Sequence, residues 1–359
     1  MEFSISEKTR AVVETVLIAI FILVLVTILC GTFVGSKEMK AAKALCIALA
    51  VEPDLSSAYL SQWFEKNFGL REKLILLNAV IKVKLLGVST TPNVVLGKEN
   101  WFFYVGEGAS DYARALRPMS HDELYLWRHK LEKKRDDIAA QHGLYLFVVC
   151  PDKESIYHEY YPAALNKVRS DTSLDQLINY MNRNSNYHLI DLRPVLINAK
   201  RSRVLYYKHD SHWNSYGAYV AYAAIIQKIG KYIQKARPVP TEKFRIRRSV
   251  HHDDLYAMLG INSIFSEPDL ILEPPVNLRA YVEKIYMYKG DKITLTRCDG
   301  APFPVAVIFH DSFMGAMQPF LSLHFQRAYF VYSAHYRPEI VKSLRPTVVI
   351  EEIVERHLH

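Results

Sequence analysis

Three polar clusters, each placed just after an apolar strand-like run, hold the residues whose types could do chemistry together in this 359-residue chain. They are Pro151-Asp152-Lys153, His209-Asp210-Ser211-His212-Trp213-Asn214 and His310-Asp311-Ser312-Phe313. Open α/β sheets bind ligands at the carboxyl ends of their strands, so a site is expected at these junctions. In the third, the run 305–309 delivers Ser312 to a sharp turn ahead of a helix containing Gly315. A serine there exposes its hydroxyl, and its own amide with those of a helix N-terminus can form part of an oxyanion hole. The plainer alternative is that Ser312 or Asp311 caps the helix. The second cluster favours chemistry, because a serine nucleophile needs a base titrating near neutrality, and that base needs an acid to fix its tautomer. Asp210 and His212 are of those types, and Asn214 is placed to cap the helix behind them. Reading His209 and His212 as loop histidines and Trp213 as core stays open, as does a metal reading. His209, Asp210 and His212, and the run His251-His252-Asp253-Asp254, offer ligand types, but neither has the helix spacing of HExxH.

The elements that must position these clusters follow a βαβ rhythm. Ser120-His-Asp-Glu123 is a capping-box pattern, Leu124, Trp127, Leu131 and Ile138 recur at helical spacing, and Gly143 fits the stop. Strand 144–150 follows, then helix 174–181, strand 188–192, helix 195–200, strand 204–207 and helix 215–232. From about 237 to 300 prolines break the rhythm, and 281–288 with 292–297 reads as a hairpin about Lys289-Gly290-Asp291. The alternation resumes with strand 305–309, helix 315–324, strand 328–332, helix 338–344, strand 347–350 and a closing helix. The expected fold is therefore a three-layer α/β/α domain with a mainly parallel sheet, interrupted by a β-containing excursion. Trp101-Phe102-Phe103-Tyr104 reads as packing, and Cys150, ending its strand, as a buried inert thiol.

Composition bounds the rest. With 50% hydrophobic and 23% charged residues, 14 Gly and 16 Pro, the chain is neither disordered nor collagenous. Residues 16–34 form an uncharged apolar run that, at about 1.5 Å per residue, spans roughly the 30 Å core of a bilayer. The run exceeds the ~7–15 residues of a signal-peptide core, so an uncleaved anchor is expected. Lys8 and Arg10 precede it and Lys37, Lys40 and Lys43 follow, so charge does not set its orientation. The four cysteines, 30, 46, 150 and 298, have no CxxC spacing, which excludes a zinc ribbon. The net charge of +8 gathers in 231–250 as a solvated face or a contact with an anionic membrane; no nucleic-acid module accompanies it, and no nucleic-acid partner is expected. The domains read as 1–35 (stub and anchor), 36–100 (helical and irregular lead-in) and 101–359.

Several motifs together resemble one family. Asp210-Ser-His212-Trp213-Asn214 with Gly217, Pro151-Asp-Lys153 with Ile156-Tyr157 and Tyr161-Pro162, Asp254-Leu-Tyr-Ala-Met-Leu-Gly260, Asp311-Ser-Phe313 and the ending Val348-Val-Ile-Glu-Glu-Ile-Val-Glu-Arg356 are similar to the alginate O-acetyltransferases of AlgJ/AlgX type, or DHHW proteins, in order from about Trp101 onward. The resemblance implies an SGNH-hydrolase-like domain with Ser312 as nucleophile, His212 as base and Asp210 as orienting acid, the Asp-x-His element preceding the serine. It implies acetylation of an extracytoplasmic polysaccharide beside a multipass membrane-bound O-acyltransferase that supplies the acyl group, on the periplasmic side of the inner membrane, with no cofactor and no metal. Asp152, Lys153, Trp213 and His335 are expected to line the substrate site. His310 stands where related hydrolases have Gly, and no carbohydrate-binding module is seen after the domain, which leaves glycan selection to loops. Two rivals use the same residues otherwise: an acetyl esterase with water as acceptor, and a non-catalytic partner of the membrane acyltransferase.

Overall fold

The computed structural model describes residues 71–358 except 235, 276, 277 and 334. The run 16–34 lies outside these residues, and no helix among those described is long and apolar enough to cross a membrane. Beyond residues 71–78, the described residues belong to the compact unit that begins at Ala79.

After helix α1 (Arg71–Val80) comes a hairpin, β1 (Val94–Leu96) with β2 (Phe102–Tyr104), so the boundary expected at 101 falls inside a paired unit. The chain continues through α2 (Ala109–Ala113), α3 (His121–Ala139), β3 (Leu144–Cys150), α4 (Lys153–Ile156), α5 (Ser173–Asn184), β4 (Ile190–Asp191), α6 (Arg193–Ala199) and α7 (Ser215–Gly230). Then follow β5 (Arg245–His251), α8 (Asp254–Met258), β6 (Glu267–Glu273), β7 (Tyr281–Tyr288), β8 (Asp291–Arg297), β9 (Phe303–His310), α9 (Met314–Leu321), β10 (Phe325–Tyr332), α10 (Pro338–Leu344) and β11 (Val348–Val354). The capping box at Ser120 and Glu123 forms as its spacing predicts, and Thr172 with Asp175 makes a second. The closing segment, Glu355–Leu358, is a 3-10 turn.

The main sheet has seven strands in the order β4-β3-β11-β9-β10-β8-β7. The first five are parallel, and β8 and β7 add an antiparallel edge. Along β3, Tyr145, Phe147 and Val149 pack on one face with Leu131 and Ile138 of α3 and Leu174 and Leu177 of α5. Leu146, Val148 and Cys150 pack on the other with Ala218 and Ala221 of α7 and Met314 and Met317 of α9. Burial on both faces is why these strands read as unbroken apolar runs.

Two expectations are corrected. The run 204–207 is not a strand of the sheet and forms a single bridge, Tyr206 with Trp213. Its backbone is satisfied elsewhere: the Leu205 amide donates to the Tyr157 hydroxyl at 2.9 Å, and the Asn214 amide donates to the Leu205 carbonyl at 2.8 Å. The hairpin 281–297 is part of the main sheet, so the excursion reduces to the separate two-stranded ribbon β5–β6 with α8 between its strands.

Candidate active site

The parallel strands β3, β9 and β11 end at one edge, where the turn after β9 meets the loop that carries Asp210 and His212. Ser312, exposed in the elbow between β9 and α9, has its hydroxyl 2.8 Å from His212 Nε2. His212 Nδ1 lies 2.8 Å from Asp210 Oδ1, which also accepts the His212 amide at 2.8 Å. A continuous hydrogen-bonded line thus runs from carboxylate through imidazole to hydroxyl.

The elbow is held by its neighbours. Asp311 accepts the Phe313 amide at 2.9 Å on one oxygen and the Val354 amide at 2.7 Å on the other, which ties the turn to the end of β11. Gly315 donates its amide to the Ser312 carbonyl at 3.1 Å, whereas the Ser312 amide has no acceptor among the described residues.

The segment carrying Asp210 and His212 lies outside the ladder and is fastened by side chains. The Lys153 ammonium donates to the carbonyls of Tyr207, Lys208 and Asp210 at 3.1, 3.0 and 2.7 Å. Trp213 Nε1 donates to the Phe313 carbonyl at 3.1 Å, linking this segment to the serine elbow. Asn214 caps α7, accepting from the Tyr216 and Gly217 amides. A β-carbon on Gly217 would stand 2.3 Å from the Leu205 carbonyl oxygen and 2.8 Å from the Trp213 β-carbon, so only glycine lets the helix approach this closely.

The Ser312 hydroxyl makes no hydrogen bond, among the described residues, to any of the four residues expected to line the substrate site. Lys153 and Trp213 are each 1% exposed and direct their donors at backbone carbonyls, which places them behind the site. Asp152 is buried, pairs with Arg356, and its amide donates to Glu355 at 3.0 Å. His335 is exposed beyond β10, with its amide donating to the Ser333 hydroxyl.

The sequence reading did not join His251 and Asp254 to this line. His251 Nε2 and the Asp254 amide both meet Asp210 Oδ2 at 2.9 Å. Asp254 Oδ1 accepts the Ser211 amide at 2.8 Å, and Asp254 Oδ2 accepts the Ser211 hydroxyl and lies 3.6 Å from His212 Nδ1. The signal was present in the dense run His251–Asp254, which lies some forty residues downstream of Asp210 with nothing in the spacing to pair them. Asp210, His212 and Asp254 each bring one ligand-type atom within 4.8 Å of the others. Their oxygens already accept N–H and O–H donors, an arrangement suited to holding protons.

These contacts set the charges. Burial alone would raise the Asp210 carboxyl, but hydrogen bonds from His212 and His251 and the Asp254 amide hold it far below the usual carboxylate range. Burial works against a charged His212, yet the bond to Asp210 and the negative charges of Asp210 and Asp254 raise its pKa. Burial, followed by the charge of Asp210, raises the Asp254 carboxyl. The arrangement can therefore accept a proton from Ser312 at His212 and share the resulting positive charge with Asp210.

Residues 94–284, just over half the chain, match the family of SGNH-hydrolase-like domains of the acetyltransferase AlgX. The chain belongs to that family. The matched stretch contains Asp210, His212, His251 and Asp254 and ends before Ser312. A curated relative of this AlgX family member, the probable alginate O-acetylase AlgJ of Pseudomonas putida, is 25% identical over 289 residues, covering 74% of this chain and 70% of the relative. Among solved structures, PatB1 of Bacillus cereus aligns with a TM-score of 0.54 at 16% identity over 74% of this chain and 97% of its own. PatB1 with a sulfonyl adduct gives a TM-score of 0.52 at 14% identity, covering 72% and 93%. These likenesses bear on the fold, which is the SGNH-hydrolase-like α/β architecture.

Proposed function

We propose that this AlgX-family chain is a membrane-anchored O-acetyltransferase that acts outside the cytoplasmic membrane and moves acetyl groups onto polysaccharide hydroxyls. The observation that carries the reading is the Asp210–His212–Ser312 line, with both links at 2.8 Å and an exposed terminal hydroxyl.

In the first half-reaction His212 Nε2 takes the Ser312 proton as Oγ attacks the acetyl carbonyl. The imidazolium is stabilised by Asp210 and returns its proton to the departing donor oxygen, leaving an acetyl ester on Ser312. The Ser312 amide is a donor available to the oxyanion. In the second half-reaction a sugar hydroxyl gives its proton to His212 and attacks the ester; the proton then passes to Ser312 Oγ, restoring the starting state. Residues 16–34 supply the anchor, a multipass membrane-bound O-acyltransferase supplies the acetyl donor, and the domain faces the periplasm. Membership of the AlgX family and the alginate O-acetylase relative support the acetyl and polysaccharide assignments.

The test is mass mapping of the full-length protein incubated with 4-nitrophenyl acetate, with and without an oligouronate acceptor. The expected outcome is an acetyl adduct on the Ser312 peptide that disappears when the acceptor is added and never forms in Ser312→Ala. EDTA should leave the adduct unchanged. An adduct at another residue, or activity that needs added zinc, defeats the reading.

A further inference from the structure

The ribbon strand β5 brings a second imidazole to the carboxylate that holds His212. His251 Nε2 meets Asp210 Oδ2 at 2.9 Å, and its ring lies flat on Tyr207, 3.7 Å between centroids and 5° between planes. Each oxygen of Asp210 therefore carries one imidazole and one backbone amide: Oδ1 those of His212, Oδ2 the His251 ring and the Asp254 amide. Stacking fixes the plane of His251, so the position of Oδ2 is fixed with it, and the direction of Oδ1 toward His212 follows.

We propose that His251 is a positioning residue that aligns Asp210 on His212 from behind and, by competing with His212 for one negative charge, sets the pH at which His212 becomes a free base. The proposal rests on the reading of Asp210, His212 and Ser312 given above. Its physical basis is that two imidazoles on one carboxylate cannot both become cations without repulsion, so a proton on either lowers the affinity of the other. The groups facing His251 are Asp210 from the loop, Asp253 just beyond β5, and Asp269 and the register partner Glu267 from β6. Those facing His212 are Asp210, Asp254 and Arg356. Burial lowers both imidazoles, and their bonds to Asp210 raise both above the ordinary histidine value. Removing His251 relieves the competition and also deprives Asp210 of a donor, and both effects make His212 hold its proton to higher pH.

The experiment is the rate of sulfonylation of Ser312 by phenylmethylsulfonyl fluoride in the full-length protein between pH 5 and 9, read from the mass of the Ser312 peptide. His251→Phe keeps a flat ring for Tyr207 and loses the N–H. His251→Gln can restore an N–H donor without a titrating group. His251→Phe should lower the alkaline plateau about tenfold and move the acidic midpoint upward by about half a unit to one unit. His251→Gln should recover most of the plateau while its midpoint stays above that of the wild type. Should His251→Phe fail to fold, the midpoint of His251→Gln decides alone. A purely structural role lowers the rate equally at every pH, so midpoints coinciding to within about 0.2 of a unit overturn the proposal. A wild-type protein that reacts at Ser312 with unshifted variants refutes the role of His251 only; one that never reacts at Ser312 refutes the underlying reading as well.

Discussion

Asp210 and Glu352 are both carboxyl groups at the carboxyl edge of the sheet, 4% and 1% exposed, yet their surroundings push their pKa values in opposite directions. Asp210 accepts from two amides and faces two imidazoles. Glu352, on β11, accepts the Asp311 amide at 3.2 Å, with the Cys150 thiol and the Asp311 carboxyl as its other close neighbours, and no imidazole faces it among the described residues. Burial, followed by the charge of Asp311, lifts the Glu352 carboxyl well above its ordinary value. Depth in the molecule does not decide the direction of the shift here; the donors and charges that face each carboxyl do. The neighbouring Glu355 falls between them: burial raises it, Arg193 opposes, and its pKa comes to about 7.

The strongest way to break this comparison is Asp210→Asn, which places an amide N–H₂ against donors. Acetyl transfer should fall by about 10²–10⁴-fold through a misoriented imidazole, with a loss of about 1–3 kcal/mol of stability. The pair is read by turnover of 4-nitrophenyl acetate and by urea unfolding; retained turnover would mean that Asp210 does not orient His212. Next in size is Lys153→Met, which leaves three carbonyls without their ammonium. A cost of about 2–4 kcal/mol is expected, with activity falling too because those carbonyls belong to the segment bearing Asp210 and His212; urea midpoints and turnover measure both.

Glu352→Gln makes the same chemical change as Asp210→Asn and should have the opposite sign. The unfolded carboxyl releases its proton near pH 4.3 while the folded one keeps it to much higher pH, so wild-type stability falls as pH rises through that window. Glutamine has no proton to lose. The variant should match the wild type near pH 4 and exceed it by a growing margin as the pH rises to 7. For Asp210 the sign reverses: its lowered carboxyl contributes stability above about pH 4, lost as pH falls through the folded value. Unfolding curves at pH 4, 5.5 and 7 separate the two, and a destabilised Glu352→Gln at pH 7 would mean that Glu352 is charged in the folded state.

The same contrast explains what the sequence made legible. Strands buried on both faces announce themselves as apolar runs, so β3, β9 and β11 could be read and the clusters after β3 and β9 found. The run 204–207 looks alike because Leu205 and Tyr206 are just as buried, but its amides and carbonyls meet side chains such as Tyr157 and Lys153, and periodicity cannot distinguish a ladder from such partners. The joining of β7–β8 to the edge of the sheet and the approach of His251, on a ribbon some forty residues downstream, to Asp210 are tertiary events that local spacing does not encode. Lys153 and Trp213 attracted attention as polar or aromatic residues at a strand end, and the same features suit them to fastening a loop.

Gly217 draws α7 and the loop of His212 into a single body. With no room for a β-carbon between the helix, the Leu205 carbonyl and Trp213, there is no slack to absorb a shift of α7, which is also seated in the core through Ala218, Ala221 and Ile225. The reach of the imidazole is therefore metered by the seating of a whole helix. Any loosening of that helix, by heat or by sequence drift in its inner face, is transmitted to His212 before the fold itself is lost.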